Sequence, residues 1–255
     1  MALRTAVPAV VASLAALISM PASAQAPMDA PTSAWGVGLG VSVKRPAYTG
    51  MGSDSTVIPL LSFENRWVRF AGPVVDLKLP ARGRVSLGLR ARYAFEDGYE
   101  SGDAPILAGM DERQPGLWLG ASAVWRNDFA DLSAEWLADA SGRSDGQRLR
   151  LMADRSFRQG SFQFTPRLAL HWHDRKVVGY YYGVRASEAT LARPAYRGGS
   201  TLNTELGLRT GYALTASQGL YLDLSATHLG SAIQNSPLVD RSTETAVRLG
   251  YLYRF

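Results

Sequence analysis

Of the residue types that most often act as nucleophiles, general bases or metal ligands, this chain is poor in histidine and lacks cysteine. His171, His173 and His228 are the only imidazoles, and cysteine is absent. Without cysteine, disulfides, thiolate nucleophiles, Fe–S clusters and Cys-ligated zinc are excluded. His171 and His173 project to the same side of a strand, since side chains alternate with a period of two. A metal held by them would need a third ligand from elsewhere. Asp174 beside His173, with Ser161 or Ser187, supplies the residue types of a hydrolytic triad. No local spacing fixes that geometry, and no Gly-x-Ser-x-Gly elbow is present. The loop Gly50-Met51-Gly52-Ser53 lacks the lysine and the following helix of a phosphate-binding loop. The expectation is a non-enzymatic chain with no catalytic, metal or cofactor residues.

What the chain does carry is charge at alternating positions. Val85, Leu87, Leu89, Ala91, Tyr93 and Phe95 fall on one face of 84–95, and Arg84, Ser86, Gly88, Arg90 and Arg92 on the other. In 161–173, Phe162, Phe164, Pro166, Leu168, Leu170 and Trp172 oppose Gln163, Thr165, Arg167, Ala169 and His171. The last segment sets Thr245, Val247, Leu249, Tyr251, Tyr253 and Phe255 against Glu244, Ala246, Arg248, Gly250 and Arg254. Such alternation argues for strands, and helical periodicity is hard to find.

The segments are long for a soluble sandwich, whose strands usually run about 5–6 residues. They approach the roughly 9–11 residues a tilted strand needs to cross a bilayer. Aromatics near their ends, among them Trp35, Trp125, Trp172 and Tyr212, fit interfacial girdles. The expected fold is an all-β antiparallel transmembrane barrel over 34–255. Its strands are 34–43, 57–64, 67–71, 74–79, 84–95, 116–126, 129–138, 147–157, 161–173, 201–213, 219–229 and 243–255, about twelve in all. Gly72-Pro73 either turns a hairpin or bends one strand, and the even number of bacterial barrels favours the hairpin. Short turns alternate with longer connections, which puts the turns and both termini in the periplasm and the loops outside.

On this register Arg84, Arg90, Arg92, Arg126, Arg148, Arg150, Arg167, Arg209, Arg248 and Arg254 face the lumen with His171. Asp131, Glu135, Asp154, Glu205, Asp223 and Glu244 oppose them. Charge is costly in lipid, so the interior is its physical place. Two readings follow: a narrow barrel filled by an Arg–carboxylate network, or a basic passage for small anions. A barrel of this size lies between filled barrels and open porins and permits either. In loop 174–200, Tyr180-Tyr181-Tyr182 either packs over the barrel mouth or serves as contact anchors. Loop 44–56, rich in Gly, Ser and Asp, reads as turn chemistry or a surface contact site.

The first 24 residues have the layout of a cleaved signal peptide. Arg4 is basic, Ala6 to Ile18 is apolar, Pro21 breaks the run, and Ala22-Ser23-Ala24 offers small residues at the cleavage site. Residues 25–33 read as a flexible periplasmic leader. The chain of 255 residues has a mean hydropathy close to zero and no run of about 20 apolar residues, which excludes a bundle of membrane helices. A pI of 9.6 brings nucleic acid to mind, but no dense basic run interleaves with aromatics, and an exported chain rarely meets it.

Several separated segments resemble the MipA/OmpV family of outer-membrane proteins, the MltA-interacting proteins. Pro46-Ala47-Tyr48-Thr49-Gly50 followed by Ser53-Asp54 is similar to the family's Pro-x-Tyr-x-Gly-Ser segment, with Met51-Gly52 inserted. Pro59-Leu60-Leu61-Ser62-Phe63-Glu64 and Arg69-Phe70-Ala71-Gly72 resemble its second and third strands. Tyr182-Gly183-Val184, Pro194-Ala195-Tyr196 and Gly198-Gly199 look like its long loop, and Ser236-Pro237-Leu238-Val239 and Gly250-Tyr251-Leu252-Tyr253-Arg254-Phe255 complete the pattern. The terminal Tyr251, Tyr253 and Phe255 also resemble the signal read by the outer-membrane insertion machinery. The resemblance implies a non-enzymatic barrel of the Gram-negative outer membrane, embedded in its lipid and without cofactor. The family's namesake is thought to join a murein hydrolase to a murein synthase, so these are the partners it implies. They would be met through the leader, the 80–83 and 214–218 turns and the barrel rim.

Overall fold

The computed structural model describes residues 34–255; the expected signal peptide over 1–24 and the expected leader over 25–33 lie outside the described residues. The strands are β1 (Ala34–Arg45), β2 (Asp54–Glu64), β3 (Val68–Ala71), β4 (Val74–Lys78), β5 (Val85–Tyr93), β6 (Leu117–Arg126) and β7 (Asp131–Asp139). They continue with β8 (Gln147–Asp154), β9 (Phe157–Gln159), β10 (Phe162–His173), β11 (Thr201–Ala213), β12 (Gln218–His228) and β13 (Thr243–Arg254). Each pairs antiparallel with its neighbours, and β13 returns to pair with β1, from Gly36↔Arg254 to Arg45↔Thr245. β8 and β9 pair successive stretches of β10, so they form one stave interrupted at Arg155 and Ser156. The result is a closed barrel of twelve staves, which leaves no outer sheet edge running its whole height.

Alternation sorts the side chains as a bilayer demands. On β1, Trp35, Val37, Leu39, Val41 and Val43 are exposed outward, while Gly36, Gly40 and Ser42 are buried inward. The same holds for Leu220, Leu222 and Leu224 of β12 against the buried Asp223. Apolar side chains on the outer wall meet lipid, so the main aqueous-type core has to lie elsewhere. It lies in the extracellular cap, where Tyr48, Tyr99, Leu107, Met110, Val184 and Leu238 bury one another. A second cap cluster joins Ala47, Val178, Leu229 and Ile233.

Gly72-Pro73 turns a hairpin, with Gly72 at φ 56°, a left-handed conformation that glycine adopts without strain. β3 and β4 are short, and β2 pairs with β3 only over Ser62–Glu64. Above that level Asp54–Leu60 pairs with β1 alone. Strand extension to Arg45 and from Asp54 shortens the expected 44–56 loop, and the expected 147–157 strand is broken where β8 gives way to β9. The expected 174–200 loop contains a short helix, α1 (Arg175–Tyr181), and a second, α2 (Ser231–Gln234), lies between β12 and β13. Asp174 caps α1, accepting from the Lys176 and Val177 amides at 3.0 and 2.9 Å. Its carboxylate therefore serves the helix end and not a triad with His173.

Candidate functional site

The lumen charges meet by register. Asp76 lies opposite Arg90, Glu135 opposite Arg150, and Asp223 opposite both Arg209 and Arg248. Directly opposite side chains on one face of an antiparallel pair stand close enough to interact. Two networks result. Arg90 grips Asp76 through two contacts of 2.6 and 2.8 Å and also donates to Glu135, which accepts from Arg92 at 3.2 Å. Arg167 holds Glu205 at 2.6 Å and Asp223 at 2.8 and 3.0 Å. Glu205 is also met by His171 at 3.0 Å and Arg150 at 3.6 Å, and Asp223 by Arg209 at 3.0 Å and Arg248 at 3.8 Å. Asp223 is 1% exposed, and burying a carboxylate so deeply requires that concentration of guanidinium. Gly207 lets Arg167 lie flat on the wall, because a Cβ there would collide with the guanidinium.

Near the extracellular end, Glu96 crosses the mouth from the segment after β5 to β13 and β1. It accepts from Arg248 at 2.5 Å and from the Ser42 hydroxyl at 2.9 Å. Burial opposes the charge on Glu96, but Arg248 and Ser42 outweigh it and hold the carboxyl below the usual carboxylate range. Asp97 takes Arg148 at 2.5 Å, and Glu244 takes Lys44 at 3.6 Å and the Ala47 amide at 3.2 Å. The structure puts Arg84, Arg126 and Asp131 at the periplasmic rim, a departure from the lumen assignment. Arg84 pairs there with Asp128 at 3.2 Å and Arg126 with Asp131 at 3.8 Å, in open solvent-facing positions. The reason is that β5 and β7 start at Val85 and Asp131, so these side chains sit at or beyond the strand ends. Asp154 lies opposite Asp131 and Arg167 in register, and Arg254 closes β13. Tyr253 and Phe255 pack edge to face at 5.1 Å on the outer wall, with Tyr251 on the same face.

Over the mouth, α1 drops Val177, Val178 and Tyr181 into the interior, each 3% exposed or less. Tyr182 stacks on Tyr48 at 5.5 Å, and Tyr180 accepts from the Gln114 amide at 3.0 Å. The three tyrosines therefore pack into the mouth. A buried pair, Arg113 and Glu188, ties the cap together through two 2.8 Å contacts. Arg113 also donates to the Tyr180 and Asp111 carbonyls at 2.7 Å each. Burial raises the cost of the Glu188 charge, yet the Arg185 amide and Arg113 hold its carboxyl below the usual range. Sequence reasoning missed this pair, as well as Glu96 and Asp97, because all lie in connections without periodicity. Asp76 was missed as well, although its place between Val75 and Leu77 in an alternating run is the signal that could have found it.

Two cavities lie within this framework. The outer, of about 310 Å³, lies under the cap between Lys44, Asp54, Glu96, Asp97, Tyr181 and Glu244. The inner, of about 70 Å³, lies on the inward faces of β5, β6, β7, β8 and β10, against Arg92, Trp118, Glu135, Arg148, Arg150 and His173. Among the described residues no group of three or more His, Asp or Glu is arranged to hold a metal.

The family model described as MltA-interacting protein MipA matches residues 37–255. The chain belongs to that family. It is 24% identical to the MltA-interacting protein of Escherichia coli K12 over 224 residues, covering 86% of this chain and 89% of that one. It is 26% identical over 157 residues to the outer membrane protein Omp26La of Vibrio anguillarum, covering 62% of this chain and 61% of that one. Among solved structures, the COG4313 outer membrane channel from Pseudomonas putida F1 aligns over 93% of this chain and all of its own, at 15% identity and a TM-score of 0.48. With relatives named as outer membrane proteins and a closed barrel of twelve staves, this member of the MipA family is an outer-membrane β-barrel.

Proposed function

We propose that this barrel is a structural scaffold of the cell envelope that docks a murein hydrolase or synthase at its periplasmic rim. The observation that carries this reading is how the interior is used. Lumen arginines and carboxylates bind one another, Glu96 ties β13 and β1 together, and the cap packs its own apolar core over the mouth. The interior serves the structure, which leaves the rims for partners. The periplasmic rim carries exposed aromatic–arginine pairs of the kind that anchor interfaces: Arg66 over Trp67 at 4.4 Å, and Arg155 against Phe129 and Phe157 at 5.9 and 5.3 Å. A relative bears the name MltA-interacting protein, which agrees with a murein enzyme as partner.

The test is capture of periplasmic proteins on the purified, detergent-solubilised barrel, beside a Trp67→Ala, Phe129→Ala, Phe157→Ala variant. Recovery of a murein hydrolase or synthase by the parent and its loss with the variant supports docking at this rim. Recovery of neither by the parent ends the scaffold reading. A small pore for anions is the second reading, favoured by the three arginines around the inner cavity. It requires single-channel conductance in planar bilayers that changes in an Arg92→Gln variant.

A further inference from the structure

Among the described residues, four buried side-chain nitrogens have no hydrogen-bond partner: Trp118 Nε1, Arg148 Nε, Arg150 Nε and His173 Nδ1. All four belong to residues lining the inner cavity. Buried polar groups in folded proteins nearly always find partners, and an unpaired donor costs its full desolvation. Arg148 Nε, Arg150 Nε and His173 Nδ1, on the paired strands β8 and β10, point to a shared acceptor in that cavity, whereas Trp118 Nε1 lies beside Gly116.

The chemistry of the donors narrows what that acceptor is. Indole and guanidinium nitrogens donate only, and the histidine nitrogen donates in one tautomer. The cavity wall carries Arg92, Arg148 and Arg150 against one carboxylate, Glu135, which Arg90 and Arg92 already engage. Arg148 is held in place by Asp97 at 2.5 Å, and its guanidinium lies 4.0 Å over the face of the Trp118 ring. Arg150 is anchored through its other end to Glu205. A volume of about 70 Å³ suits a group of a few heavy atoms.

We infer that the inner cavity is a binding site for a small oxyanion, a phosphate-sized or carboxylate-sized group. Its oxygens accept from Arg148 Nε, Arg150 Nε and His173 Nδ1. The site depends on neither the scaffold nor the pore reading, since it is a property of one inner wall.

Inorganic phosphate and acetate are the probes, added to the ¹⁵N-labelled full chain in detergent micelles. The readout is the indole N–H resonance of Trp118, assigned by its loss in Trp118→Phe. The expected result is a saturable shift of that resonance with one of the probes. Calorimetry should then give affinity weakened about tenfold or more in Arg150→Lys, which keeps the charge but loses the Nε donor, the scale of one hydrogen bond to a charged group. Arg148→Lys, which keeps the charge and loses its Nε donor in the same way, should weaken the same probe; it serves if Arg150→Lys does not migrate as a folded barrel. No saturable shift with either probe overturns the site, leaving water as the acceptor. Equal affinity in the parent and in a folded lysine variant also overturns it, because the anion then sits elsewhere.

Discussion

Replacing Arg113 with methionine should unlatch the extracellular cap while leaving the barrel closed. Glu188 would lose both 2.8 Å contacts with the guanidinium and keep the Asp111 and Arg185 amides, at 3.2 and 2.9 Å, with the exposed Arg185 guanidinium at 4.0 Å. The pair is 1% and 3% exposed, so solvent does little to rescue the carboxylate. Breaking a buried pair by removing one partner costs about 3–5 kcal/mol, and the two remaining amides argue for about 3. At about 1.4 kcal/mol per decade, local opening becomes roughly 150-fold more frequent. Hydrogen exchange reads this directly at Val184 and Tyr196, whose amides donate to each other's carbonyls at 3.0 Å. Their protection should fall by that factor, while the β12 amides stay protected. Arg113→Met with Glu188→Gln should cost less than the two single changes together by about 2 kcal/mol, since no buried charge is left alone. Unchanged protection at Val184 and Tyr196 would refute the latch. Equal loss in β12 would show that cap and barrel open as one unit.

Acid should loosen the same cap. Glu188 and Glu96 both sit below the usual carboxylate range, so their stabilisation is complete above the unfolded value of about 4.3 and drains as pH falls through the lowered folded values. Exchange at Val184 should therefore accelerate below about pH 4, and less steeply in Glu188→Gln. Gly207→Val should push Arg167 off the wall and cost about 2 kcal/mol, read as an earlier urea midpoint in micelles; an unmoved midpoint would count against the packing of Arg167 on that glycine. Deleting Phe255 should lower the amount assembled in the outer membrane while purified chain still folds in detergent, and normal assembly would remove the insertion signal from its terminus.

The barrel was legible where its physics is periodic. Lipid on one side and a polar lumen on the other force an alternation that β5, β10 and β13 display residue by residue, and Gly72-Pro73 is a turn that chemistry alone explains. Strand ends were less visible. Asp54, Ser55 and Thr56 extend β2 above the apolar zone, where alternation no longer separates two solvents. The break at Arg155 and Ser156 leaves the pattern of 147–157 nearly intact and so escaped notice. Of the lumen network, the strand members were readable and their cap partners Glu96 and Asp97 were not, because a connection's path is set by tertiary packing. α1 is only seven residues long, too short to declare a helical face.

The short β3–β4 hairpin bears on how the wall would fail under load. A closed cylinder under lateral tension parts where the fewest bonds cross a vertical line. Here that line runs between β2 and β3, joined over Ser62–Glu64, and not between β1 and β13, joined over nearly their whole length. The first and last strands to be made thus form one of the strong joints of the cylinder. A pulled barrel would tear at its second seam, leaving the N- and C-terminal strands still zipped together.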